Sequence, residues 1–299
     1  MILRKILATC LIGLGMLVSA ASSAADKPLP MWEARSQEGT QQGTVYLFGS
    51  IHVCREQCLR FPASVLNRFR DSEALAVELD PTTPEVAERI LAAAMLPGKQ
   101  TVQAKLSSAQ TARLQQALNK LGVSLTQVEH MHPAMVSSTI TMLAAQAAGL
   151  SAEDGIDMWF LQEARKRGMP VRELETIERQ LAALFSGSER EQLDSLMQDV
   201  DMVLNDRVGS YLEDMVQSWM NGDLPAIDKL MHEGAEQKSL EDALMRRRNI
   251  EMANKIATWL TRGENIFVVI GAGHLTGKDN VAELLARKGF RVRQLHDDQ

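Results

Sequence analysis

Asn265-Ile266-Phe267-Val268-Val269-Ile270-Gly271-Ala272-Gly273-His274 is an apolar run that ends in glycines and then a histidine. β-Branched and aromatic residues without a polar alternation read as a strand buried on both faces, the signature of a parallel sheet covered by helices. Lys278 to Lys288 follows with helical character, and Phe290 to Leu295 alternates as a last strand. Strand, helix, strand in this order implies a right-handed parallel crossover. The fold class is therefore α/β, with a mixed, largely parallel central sheet.

Near the other end of the chain the same design recurs. Val45-Tyr46-Leu47-Phe48-Gly49-Ser50-Ile51-His52 is again an apolar strand, then Gly, two residues and His. Trp32-Glu33-Ala34-Arg35 precedes it across a turn at Gln41-Gln42-Gly43, which suggests an N-terminal hairpin. Leu75-Ala76-Val77-Glu78-Leu79-Asp80 reads as a third strand stopped by Pro81, with Pro62 to Arg70 as a short helix before it. Between these ends lies a helical middle, about 83–262. It opens with Thr83 as a cap before Pro84-Glu85. Ser107–Leu121, Pro133–Ala148 and Asp157–Arg167 are helices, each followed by a glycine that suits a helix C-terminus. Pro170 to Leu174 is a short strand, and Gly222 and Pro225 break the helical run after Ile177.

The first 25 residues read as a leader. Arg4 and Lys5 are followed by the apolar run Ile6–Val18 and by small residues, with Ser22-Ser23-Ala24 and Ser23-Ala24-Ala25 as cleavage sites. The run is short for a membrane span, so cleavage, with no stable membrane span afterwards and a periplasmic or secreted destination, is expected. Cys10 lies inside that run, which argues against a lipid anchor there. Residues 26–299 then form one domain. With 45% hydrophobic residues, a net charge of −6 and no basic block, the chain is an ordinary globular protein and not a nucleic-acid binder. Cys54 and Cys58 are a disulfide pair in an oxidising compartment or, lying just past His52, metal ligands.

A buried strand running into glycine brings the backbone to the C-terminal edge of the sheet, where open α/β sheets collect their ligands. One Gly-x-x-His alone is as readily a capping histidine. Two of them, each after a buried strand, can aim two imidazoles into one crevice if their strands are neighbours. Glu78, at the end of a third strand, adds a carboxylate. Two histidines and a carboxylate make either a metal centre with open positions or an acid–base set. Glu78 could instead be the partner of a basic residue, and Asp80 reads as a turn residue. His130, His132, His232 and His296 have no such neighbours and read as structural or surface residues.

Gly49-Ser50-Ile51-His52, Val77-Glu78-Leu79-Asp80, Gly155-Ile156-Asp157, Glu173-Leu174-Glu175-Thr176, Arg248-Asn249 and Gly271-Ala272-Gly273-His274-Leu275 occur in an order and spacing that resembles the TraB/PrgY/GumN family, which includes the Tiki proteins. The resemblance runs from about Trp32 to Leu295. It implies a metal-dependent peptidase using manganese, cobalt or zinc, with His52 and His274 as metal ligands, Glu78 as a ligand or general base, and Glu175 as a further ligand or a group that supports the ligands. Arg248 and Asn249 would polarise or orient a carbonyl. Gly49, Asp157 and Gly271 would support the ligands. Cys54 and Cys58 stand outside the family pattern. The expected partner is a peptide or protein substrate. Two rivals remain open: a peptide-sequestering protein without catalysis, and a metal-free hydrolase resembling the erythromycin esterases.

Overall fold

The computed structural model describes residues 28–36, 43–232 and 245–296. The leader 1–25 and most of the expected turn at Gln41-Gln42-Gly43 lie outside the described residues. Six strands, β1 (Pro28–Arg35), β2 (Thr44–Ser50), β3 (Ala74–Val77), β4 (Val171–Glu173), β5 (Asn265–Gly271) and β6 (Arg291–His296), form one sheet in the order β4-β3-β5-β2-β1-β6. The pairs β4–β3, β3–β5 and β5–β2 are parallel, whereas β2–β1 and β1–β6 are antiparallel. The sheet is thus mixed and largely parallel, and β1–β2 is the expected hairpin. The helix Val281–Arg287 carries the chain from β5 to β6 across two intervening strands, and both strands run the same way.

β5 occupies the middle of the sheet because both of its faces are apolar. Phe267 and Val269 point into one core with Phe48, Leu75 and Val77, while Ile266, Val268 and Ile270 point into another with Val45, Leu47 and Ala76. The period-2 alternation splits one hydrophobic run between two layers. The first layer is the helical middle, including Pro133–Ala147, Ile156–Lys166, Glu189–Leu204 and Val208–Met220. The second is built from Arg247–Thr261 and Val281–Arg287. Phe48, Phe61, Phe69, Phe160 and Phe267 gather edge-on and tilted in the first core, with ring centroids 5.0–6.0 Å apart.

Several boundaries differ from the sequence reading. β3 ends at Val77, so Glu78 lies just beyond the strand and not within it. Thr83 occupies the N-cap position of Pro84–Ala94, but its side chain makes no cap bond; its hydroxyl leans back to the Asp80 carbonyl at 3.4 Å. Pro225 does not break a helix: it sits at the start of Leu224–His232, where its missing N–H costs nothing. Among the described residues, breaks after Ile177 fall at Gly187, Asp206 and Gly222, all with positive φ. Asp80 is the turn residue expected: its Oδ1 accepts from the Thr82 backbone and hydroxyl, and Arg165 closes on its other oxygen.

Candidate functional site

β2 and β5 are parallel neighbours in a register that sets Ser50 opposite Gly271. Both Gly-x-x-His motifs therefore leave the sheet side by side at its C-terminal edge. β3, paired to β5 on the other side with Val77 opposite Val269, delivers Glu78 to the same edge. A methyl group on the Gly271 Cα would lie 3.3 Å from Glu78 Oε1, 3.8 Å from His274 Cδ2 and 4.0 Å from His52 Nε2. Residues 52, 78 and 274 thus surround one point, and only glycine at 271 leaves it open.

His274 is buried, and its Nδ1 lies 2.5 Å from Asn249 Oδ1. Asn249 Nδ2 donates to the Asp279 carbonyl at 3.0 Å, so Asn249 Oδ1 is the acceptor and His274 Nδ1 carries the proton. The lone pair then sits on Nε2, which faces Glu78 Oε1 at 3.7 Å. Burial pushes the His274 ring below its usual pKa, and Arg248 and His52 add to this against the pull of Glu78. The ring is biased toward its neutral form.

His52 is held from the opposite side. Its Nδ1 meets Asp157 Oδ2 at 2.9 Å, and Ser50 Oγ donates to Asp157 Oδ1 at 2.5 Å. The Asp157 charge and hydrogen bond raise the ring to about 9, with Glu78 contributing. This histidine is charged, although its side chain is 69% exposed to the cavity it lines. Asp157 also lies in the first turn of Ile156–Lys166, where an acidic residue suits the helix dipole. The loop after His52 is clamped to this helix start: Cys54 exchanges backbone hydrogen bonds with Ser151, Ile156 N–H donates to the Ile51 carbonyl, and a disulfide joins Cys54 to Cys58. A Cβ at Gly155 would be 2.5 Å from the His52 carbonyl oxygen, so nothing larger than glycine allows this approach.

Arg248 organises the carboxylates. Its Nε donates to Glu175 Oε1 at 2.8 Å, and its Nη2 to Glu175 Oε2 at 2.7 Å and to Glu78 Oε2 at 2.5 Å. Glu78 Oε1 accepts the Gly271 N–H at 2.7 Å. Burial alone would raise the Glu78 carboxyl, but His274, Arg248, His52 and the Gly271 N–H together hold it at about 2. His52, Glu78, Arg248, Gly271 and His274 line one cavity of about 630 Å³.

The geometry changes several assigned roles. Asn249 spends its amide on His274 and Asp279, so it positions an imidazole and does not polarise a carbonyl. Arg248 is committed to two glutamates. Glu175 gives both oxygens to Arg248 and so anchors the guanidinium. Glu78, held at about 2, is a weak proton acceptor at neutral pH. Gly49 lets two strand ends approach: a Cβ there would meet Ala272 Cα at 3.2 Å. Cys58 and Cys54 are paired with each other and are not metal ligands.

As a donor set, two imidazole Nε2 atoms and a carboxylate oxygen suit a divalent ion with open positions. The methyl-sized space at Gly271 borders Glu78 Oε1, His52 Nε2 and the Cδ2 edge of His274. Glu78 Oε1 already accepts the Gly271 N–H, and among the described residues no group of three or more His, Cys, Asp or Glu stands arranged to hold a metal.

The sequence pattern of the TraB/PrgY/gumN family matches residues 30–294. The chain belongs to the TraB/PrgY/gumN family. It is 28% identical over 247 residues to YbaP, an uncharacterized protein of Escherichia coli (strain K12), covering 80% of this chain and 87% of that protein. It is 22% identical over 298 residues to "Metalloprotease TIKI2" of Danio rerio, covering 83% of this chain and 57% of that protein. A "Metalloprotease TIKI homolog" of Amphimedon queenslandica is 23% identical, over 84% of this chain and 59% of its own length. No solved structure matches.

Sequence reasoning missed Ser50 and Trp219 in this family site. Trp219 Nε1 donates to the Gly49 carbonyl at 2.8 Å, bracing the first motif from the helical layer. Asp157→Asn is expected to drop the His52 pKa from about 9 back toward 6.5. Titration of the His52 Cε1 proton by NMR in metal-free protein checks this; an unmoved midpoint would remove Asp157 as the cause.

Proposed function

We propose that the chain is a peptide hydrolase acting beyond the cytoplasmic membrane, with a divalent metal held by His52 and His274 and with Glu78 beside them. The observation that carries this is the convergence at Gly271 of two imidazoles, each with Nδ1 occupied by a side chain and Nε2 left for chemistry. The named activity of the Tiki relatives supports the same reaction class. The disulfide suits an oxidising compartment.

A divalent ion at this place supplies acidity to water and polarisation to a carbonyl. Asn249 and Asp157 fix the two rings so that both Nε2 atoms face the substrate. Arg248, tied down by Glu175, holds Glu78 ionised at the edge of the cavity. To receive an ion His52 must first lose its proton, so uptake is expected to release protons and to strengthen as pH rises toward 9.

A second reading is favoured by the opposite charge states of the two rings and by the engaged carboxylates. Neutral His274 Nε2 takes a proton from water, the hydroxide adds to the peptide carbonyl, and charged His52 Nε2–H stabilises the oxyanion and then protonates the leaving amine. Two titratable groups whose surroundings drive their pKa values apart are the usual sign of an acid and a base. Both readings predict turnover of fluorescence-quenched peptides by purified protein. Loss on treatment with chelator and recovery with manganese, cobalt or zinc selects the metal reading. Turnover indifferent to chelator selects the second. No turnover under any metal, with bound peptide recovered intact, would leave a peptide-sequestering protein.

A further inference from the structure

The wall facing the two histidines is apolar and rich in methionine. Met142, Met215, Met231 and Met245 line the cavity together with Leu212 and Ile227. They come from different helical segments, so the clustering is tertiary and not a run in the sequence. The wall reaches the chemistry itself: a Cβ at Gly273 would lie 2.5 Å from Met231 Cε, 2.6 Å from Met231 Sδ and 3.1 Å from Met245 Cε. Two thioethers thus press on the residue directly before His274. Methionine side chains are unbranched and polarizable and repack around differently shaped apolar groups.

From this juxtaposition we propose that the methionine wall is a substrate subsite for a large, unbranched or γ-branched apolar side chain, such as leucine, methionine or phenylalanine, adjoining the bond placed at His274. The inference rests on the peptidase reading for its substrate class but not for its binding site. A residue whose side chain lies against Met231 and Met245 brings its own backbone alongside Gly273 and His274, where the carbonyl meets the Nε2 atoms. A charged side chain in that place loses its water against thioethers and methyl groups. The volume of about 630 Å³ lies within the range of sites that enclose ligands the size of a short peptide.

Two independent measurements test this. In protein carrying ¹³C-methyl methionine, N-acetyl-leucine amide is expected to shift the Met231 and Met215 methyl signals, and N-acetyl-aspartate amide is expected to leave them in place. In cleavage of quenched peptides that differ at one residue, leucine at the position next to the cut bond is expected to exceed aspartate in kcat/KM by about tenfold or more. Met231→Gln, which keeps the length of the side chain, should shrink that preference, and Met231→Lys should turn it toward the acidic peptide. Methyl shifts with no cleavage of any peptide would keep the subsite and remove the peptidase reading. Unmoved methyl signals, or cleavage with no preference for apolar residues, would overturn the subsite whatever the activity.

Discussion

Arg248→Met is expected to destabilise the folded chain by about 3–5 kcal/mol, the usual cost of removing one partner from a buried charge cluster. The guanidinium side chain is 10% exposed and the Glu175 side chain 1%, so water does not take over the contacts that are lost. Glu78 and Glu175 would then face each other without their shared cation, although methionine fills much of the same space. The Glu78 carboxyl would lose one of the charges that hold it at about 2 and would rise. A group with a depressed folded pKa stabilises above its ordinary value, here 4.5, and loses that contribution as pH falls through the folded value. The deficit of the variant should therefore be larger at pH 7 than at pH 3. Urea unfolding at both values measures it. Adding Glu175→Gln should restore part of the loss, because the two sites share one interaction. A loss below about 1 kcal/mol, or one that does not vary with pH, would mean that the cluster is not held by Arg248.

Most of the sheet was legible because its signals are local. A strand buried on both faces, such as Ile266–Ile270, carries its identity in consecutive residues, and a glycine marks where it stops. The convergence of His52 with His274 and Glu78 followed from strand order, which the matching ends of the chain suggested but did not fix. The supporting residues were harder because their contacts join distant segments. Trp219 and Gly49 are separated by 170 residues, and nothing in either neighbourhood announces the bond. Arg248 stands in the run Arg246-Arg247-Arg248, which reads as a solvated face. Its phase was informative, since Arg248, Asn249, Met252, Ala253, Ile256 and Leu260 share the buried stripe of one helix. Charged and amide groups on an apolar stripe demand buried partners. The roles of Glu175 and Asn249 could not be separated by that argument, because a carboxylate serves a metal or an arginine equally well until distances are known.

His274→Ala is expected to lower peptide turnover by roughly 10²–10⁴-fold, the range for losing a group that transfers a proton in the transition state. The change removes the ring whose Nε2 faces the cavity, in the metal reading a ligand and in the metal-free reading the base. The fold should survive, since Leu275 and Ala272 on either side remain packed and Asn249 keeps its bond to the Asp279 carbonyl. Asn249→Ala is the finer test. It leaves the ring in place but frees Nδ1 to lose its proton, so the neutral imidazole can carry hydrogen on Nε2 instead. Removal of such an orienting partner typically costs about 10–100-fold. Asn249→Asp acts in the other direction: a carboxylate against Nδ1 raises the His274 pKa and keeps the ring protonated to higher pH. The acid limb of the kcat/KM profile should then move upward, with activity recovering as pH rises. An Asn249→Asp profile that coincides with the wild-type one, or His274→Ala with full turnover, would place the reaction elsewhere in the cavity.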